Sequence, residues 1–208
     1  TVLFSDIRGF TAISERLSPE ALMDWLNEYI GAMADLVIAH GGMVDKYIGD
    51  SVMAIFGAPL PRHGPDELAA DATRAVDCAL AMGEALGELN AGWAKQGLPP
   101  IAIRIGINSG PVVAGSLGSS KRLEYTIIGD TVNTASRLES LDKEWAGLGA
   151  GEACRILVSK STMAYLGECY EAHSIGSIRL KGKDSETEVF RIVGRSLQKT
   201  SSHDPASI

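Results

Sequence analysis

Residues 101–108 read Ile-Ala-Ile-Arg-Ile-Gly-Ile-Asn. Ile101, Ile103, Ile105 and Ile107 alternate with Ala102, Arg104, Gly106 and Asn108, a period of 2 that makes one face of a strand wholly apolar. The segments around it decide what sheet it joins. Upstream, the apolar run 1–5 reads as a strand ending at Ser5-Asp6. Ser18-Pro19-Glu20 opens a helix, with Ser at the cap, Pro in the first turn and an acid near the positive dipole end. Leu22, Leu26, Ile30, Met33 and Val37 continue it at helical spacing, and Gly41-Gly42 stop it. Residues 43–48 and 51–56 are short apolar runs about Gly49-Asp50, the pattern of a β-hairpin. Pro59, Pro61 and Pro65 mark a rigid loop, and an Ala-rich helical pattern runs from Asp66 to about Asn90. Gly97-Leu98-Pro99-Pro100 ends that segment.

Downstream, strands are expected at 111–116 and 123–128, a helix from Asp130 to Leu141, a loop over 142–153, a strand at 155–158, a helix at 159–166 and strands at 175–181 and 187–193. Helices interspersed with hairpins imply an α+β fold, with helices packed on a sheet of antiparallel content. Gly194 to Ile208 is polar and without periodicity and reads as a disordered tail, leaving residues 1–193 as one domain. The chain opens inside an apolar run without an initiator Met or a signal peptide, which suggests a domain excised from a longer protein.

At 208 residues, 45% hydrophobic and 22% charged, the composition is that of an ordinary globular domain and excludes a wholly disordered, collagenous or coiled-coil chain. No window reaches the roughly 18 apolar residues of a membrane helix. Acids outnumber bases 26 to 19, for a net charge of −7, which argues against nonspecific nucleic-acid binding. A phosphate ligand must therefore be met by local cations. Cys78, Cys154 and Cys169 are widely spaced and form no CxxC pair, so a zinc or dithiol redox site is not indicated. Reduced thiols point to a cytoplasmic setting.

Two acids carry the first chemical signal. Asp6 follows an apolar strand and Asp50 sits at the hairpin tip. Acids in turns are commonly only turn formers, but each of these abuts a buried strand. If those strands are neighbours, both carboxylates converge at one sheet edge, an arrangement suited to Mg²⁺. Gly9-Phe10-Thr11 can offer backbone N–H groups to phosphate at a strand-to-helix turn. Gly115-Ser116-Leu117-Gly118-Ser119-Ser120-Lys121 has the wrong spacing for a P-loop. Asn133 and Arg137 lie four apart on one helix face, and Lys46 lies four residues before Asp50; each taken alone reads as a solvated surface group.

Together, Phe4-Ser5-Asp6-Ile7-Arg8-Gly9-Phe10-Thr11, Asp45-Lys46-Tyr47-Ile48-Gly49-Asp50 and Gly129-Asp130-Thr131-Val132-Asn133-Thr134-Ala135-Ser136-Arg137-Leu138 resemble the catalytic domain of class III nucleotidyl cyclases. The resemblance covers residues 1–193. It implies a ferredoxin-like βαββαβ core with peripheral additions. It also implies two Mg²⁺ or Mn²⁺ ions held by Asp6 and Asp50 with the Ile7 carbonyl, and Asn133 and Arg137 as transition-state residues. By the same resemblance Arg104 and Lys181 contact the phosphates, and Lys46 and Thr126 read the base. Lys46 points to ATP, since an ammonium donates to adenine N1, and the Thr126 hydroxyl can accept from N6. Thr at this position resembles a bacterial subgroup that is often bicarbonate-responsive. The family's site lies between two catalytic domains, which implies a homodimer, and an upstream sensor domain is expected in the longer protein. The alternatives are a guanylyl cyclase acting on GTP and an inactive cyclase-homology module that only dimerises and relays signals. Residues 141–155 form a longer segment than the family resemblance leads one to expect.

Overall fold

The structure, a computed structural model, describes residues 1–119, 121–141, 153–182 and 185–196. Of the loop expected at 142–153, residues 142–152 lie outside the described residues, as do residues 197–208 of the tail expected from Gly194. The elements run β1 (Val2–Ile7), α1 (Phe10–Ser14), α2 (Pro19–Ala39), β2 (Met43–Ile48), β3 (Ser51–Ile55), α3 (Pro65–Lys95), β4 (Ile103–Asn108), β5 (Val113–Ser119), β6 (Arg122–Ile128), α4 (Asp130–Glu139), β7 (Cys154–Ser159), α5 (Lys160–Leu166), β8 (Tyr170–Arg179) and β9 (Glu186–Arg195). Seven strands form one sheet in the order β2-β3-β1-β4-β7-β9-β8, and β5 and β6 pair as a separate ribbon. The stretch β1-α2-β2-β3-α3-β4 gives the antiparallel order β2-β3-β1-β4, the βαββαβ core that the resemblance implies. Among the described residues no helix is long and apolar enough to cross a membrane.

The isoleucine alternation sets the layers. Ile103, Ile105 and Ile107 join Leu3, Ile7, Val52 and Ala54 under α2 and α3, which bury Trp25, Tyr29, Met33 and Val37 and Ala72, Ala75, Val76, Ala79, Met82 and Leu86 respectively. The other face, carrying Val2, Phe4, Met53 and Ile55, packs against Ala135 of α4 and Ile127 of β6. Asp6, Arg104 and Gly106 lie on this second face. Helix α4 rests directly on β4 because residue 106 is glycine: a Cβ there would stand 2.3 Å from both the Ala135 carbonyl oxygen and the Glu139 amide nitrogen.

Four differences from the sequence reading have local causes. Helix α1 was not expected; Gly9, at φ 71°, turns the chain into it straight after β1. Helix α3 runs to Lys95 rather than Asn90, because its last turn buries Trp93, whose ring lies 5.4 Å from that of Trp25 and whose Nε1–H donates to Glu28 Oε2 at 2.8 Å. Such a tilted aromatic pair adds about 1 kcal/mol beyond its buried area. Strand β8 begins at Tyr170, five residues before the expected start, tied down by its hydroxyl donating to Asp77 Oδ1 at 2.7 Å. Strand β9 continues through Gly194 and Arg195, past the expected domain end at 193, because Arg195 closes a two-pronged ion pair on Asp77.

Candidate active site

Asp6 is the penultimate residue of β1, and Asp50 follows Gly49, whose φ of 64° makes the β2–β3 turn. β1 and β3 are antiparallel neighbours with Ser5 opposite Val52, so both acids meet at one end of these two strands. The Ile7 N–H donates to Asp50 Oδ2 at 3.0 Å, which sets the Ile7 peptide beside Asp50. Ser51 Oγ donates to Asp6 Oδ2 at 2.5 Å. Arg104 stands opposite Asp6 in the β1–β4 register and donates to Asp6 Oδ1 at 2.5 Å, while its Nε lies 3.1 Å from Glu139 Oε1.

Burial, and next the charge of Asp6, push the Asp50 carboxyl above its ordinary range. The same two causes push Glu139 up to about 7. The site therefore gathers carboxylates that raise one another's energy, answered by the guanidinium of Arg104 and, at Glu139, by that of Arg155 as well. Its donors are hard oxygens, which suits a divalent cation such as Mg²⁺ or Mn²⁺ rather than a soft metal. Among the described residues no cluster of three or more His, Cys, Asp or Glu side chains could hold a metal alone. A cation held by Asp6 and Asp50 would keep coordination places for water and phosphate oxygens.

A second group assembles between β2 and β6. Thr126 Oγ1 donates to Asp45 Oδ2 at 2.8 Å. Lys46 Nζ lies 3.0 Å from Glu124 Oε1 and 3.6 Å from Asp45 Oδ2. The hydrogen bond to Glu124 raises the Lys46 pKa, and the charges of Asp45 and Glu124 add to it. The two expected base readers are thus brought together, with two acids that sequence reading did not single out. Asp45 was hidden by a register shift between Val44 and Lys46, and Glu124 by an exposed strand without an apolar pattern.

A third group lies along α4. Asn133 is exposed and Arg137 half-buried, one turn apart. The turn after β8 reaches Arg137: a Cβ on Gly182 would stand 3.2 Å from Arg137 Nη2, which sets neighbouring Lys181 close by. Among the described residues, neither Arg137 nor Lys181 is hydrogen-bonded or ion-paired to Asp6 or Asp50. Phe10 and Thr11 open α1, where backbone N–H groups have no partner within the helix. Arg155 anchors the far end of α4 by donating to the Glu139 carbonyl at 2.6 Å. Glu139 and Arg155 were also missed; a charged residue that a fold buries is invisible to a periodicity reading.

Two acids converging on a ferredoxin-like core, with Lys46 of β2 beside Thr126 of the ribbon and an Asn–Arg pair on α4, suit an enzyme that handles a nucleotide's phosphates. The profile of the Adenylate and Guanylate cyclase catalytic domain matches residues 1–194, and the chain belongs to that family. It is 36% identical over 196 residues to adenylate cyclase 1 of Rhizobium meliloti, covering 93% of this chain and 27% of that protein. Among solved structures, the adenylyl cyclase CyaB from P. aeruginosa superposes with a TM-score of 0.83 at 39% identity, covering 94% of each chain. The guanylyl cyclase Cya2 does so with a TM-score of 0.80 at 35% identity, covering 96% of this chain and 93% of that one.

Proposed function

We propose that this domain converts ATP to 3′,5′-cyclic AMP and pyrophosphate. The observation that carries the choice of ATP is the convergence of Lys46 and Thr126. An ammonium donates to adenine N1, and a hydroxyl whose proton is already committed accepts from the N6 amino group; guanine reverses both polarities. Asp6 and Asp50, with the Ile7 carbonyl, are the residues that would hold two Mg²⁺ or Mn²⁺ ions. When bound, such ions lower the pKa of the ribose 3′-hydroxyl and neutralise the leaving pyrophosphate.

The remaining work falls to the protein. The 3′-oxygen attacks the α-phosphorus and the bond to the pyrophosphate breaks. Arg137 meets charge developing on the α-phosphoryl group, and Asn133 orients the ribose. Arg104, Lys181 and the N–H groups of Phe10 and Thr11 bind the phosphates. In this reading Arg104 leaves Asp6 when the acids take up cations and turns toward the substrate.

That Arg137 makes no hydrogen bond or ion pair with the acids of its own chain supports a head-to-tail homodimer, each site taking its acids from one protomer and its base readers and Asn–Arg pair from the other. The span of only 27% of the Rhizobium relative supports a regulatory domain elsewhere in the full-length protein, and the reduced cysteines a cytoplasmic setting. The test is turnover of ATP and GTP by the purified domain with Mn²⁺. ATP should be preferred; preference for GTP refutes the base assignment, and no turnover of either favours the inactive module.

A further inference from the structure

The β2–β3 pairing contains an irregularity with a chemical result. Val44 pairs with Ala54 and Lys46 with Met53, so Asp45 is the extra residue of a bulge. In a regular strand, neighbours point to opposite faces. Here both residues reach β6: Asp45 accepts the hydrogen bond of the Thr126 hydroxyl, and Lys46 pairs with Glu124, two residues away on the same face of β6. The Asp45 side chain is 0% exposed, so it does not itself face a ligand. It accepts one hydrogen bond from Thr126, itself 5% exposed, and stands 3.6 Å from Lys46 Nζ.

That bond decides what Thr126 can do. A threonine hydroxyl has one proton and two lone pairs. With its proton free, it can accept from the N6 amino group of adenine or donate to O6 of guanine, and so discriminates between neither. An ionised carboxylate only accepts, so a hydroxyl donating to it has only lone pairs left to offer. We propose that Asp45 is a specificity-positioning residue, which fixes Thr126 as an acceptor and through it selects adenine over guanine. This rests on the assignment of Lys46 and Thr126 as base readers.

The experiment measures kcat/KM for ATP and for GTP, with Mn²⁺, on the full 208-residue chain and its variants. Asp45→Asn keeps the shape, but its amide can donate to Thr126 Oγ and turn the hydroxyl proton outward. The ATP:GTP ratio should fall about 10-fold or more, mainly through a raised KM for ATP. Adding Thr126→Asp to Asp45→Asn restores an acceptor that needs no help, and should restore much of the preference. A purely structural role would lower ATP and GTP turnover in parallel, with no rescue, and that result overturns the proposal. So does an unchanged ratio in Asp45→Asn while Thr126→Val lowers it, a result that leaves the base readers standing. If Thr126→Val also leaves the ratio unchanged, the base-reading assignment falls and this inference with it. Should Asp45→Asn fail to fold, the wild type serves. The triphosphate of 6-methoxypurine riboside keeps N1 as an acceptor for Lys46 but presents only lone pairs at position 6. Its kcat/KM should lie below that of the unsubstituted purine analogue; equal or better turnover overturns the proposal.

Discussion

Gly106→Ala is a one-carbon change whose effect follows from the docking of α4 on β4. The added Cβ would lie 2.3 Å from the Ala135 carbonyl oxygen and from the Glu139 amide nitrogen, and 2.9 Å from Glu139 Cα. All three are backbone atoms of α4 and none can rotate aside. Bringing the two closest atoms out to 3.4 Å, where ordinary contact begins, takes about 1 Å of helix displacement. Overpacking of this kind costs about 1–3 kcal/mol. The helix that moves carries Asn133 and Arg137, and a 1 Å error in a positioning group costs about 100-fold in rate. The variant should therefore lose kcat out of proportion to its stability, with thermal melting read beside ATP turnover. A Gly106→Ala protein that melts normally and turns over ATP within threefold of wild type would refute the account of how β4 places α4.

Three further outcomes are expected. Asp50→Asn should lower turnover about 100-fold or more, since several kcal/mol of charge stabilisation are removed, yet its melting temperature should not fall, because a buried charge beside Asp6 is relieved; a less stable but active variant contradicts the metal assignment. Glu139 is held up to about 7, so the folded state binds its proton more tightly than the unfolded chain, and stability is full below about pH 4.5 and lost as pH rises through 7; Glu139→Gln should abolish roughly 3 kcal/mol of that loss, measured by denaturant unfolding at pH 5 and 8, and matching slopes for variant and wild type would dismiss it. Asp6→Ala and Arg137→Ala should each be inactive alone, and after subunit exchange should regain about a quarter of wild-type activity, because about half the dimers are mixed and each has one intact site; no recovery despite demonstrated exchange would mean that each chain works alone.

The elements with strong periodicity were legible in the sequence: the Ser18-capped helix and the hairpin about Gly49-Asp50 lie where their patterns put them, and the isoleucine strand does so from Ile103, its first repeat Ile101 being held instead by the Asn90 side chain. Asp6 and Asp50 could be singled out because acids ending apolar strands are unusual. What was not legible depends on contacts distant in the chain. Trp93 extends α3 only because Trp25 lies across from it, 68 positions earlier. Asp77 holds the start of β8 and the end of β9 from a helix far upstream. The bulge at Asp45 breaks the very period by which strands are recognised. That Arg104 faces both Asp6 and Glu139 required the register of β4 against β1 and the docking of α4.

The acids and the ribbon differ in how they are held. Asp6 belongs to β1, in the interior of the seven-stranded sheet with neighbours on both sides, and Asp50 hangs from the hairpin beside it. Thr126 belongs to a two-stranded ribbon that shares no strand pairing with that sheet and leaves Val113, Leu117, Leu123, Tyr125 and Ile128 exposed. Substitutions at the ribbon's exposed positions leave the strand that carries Asp6 untouched, whereas a change in β1 disturbs both faces of the sheet. A lineage built on this scaffold is free to revise the outward residues of its ribbon while its carboxylates stay fixed, so that surface can diverge faster than the acids.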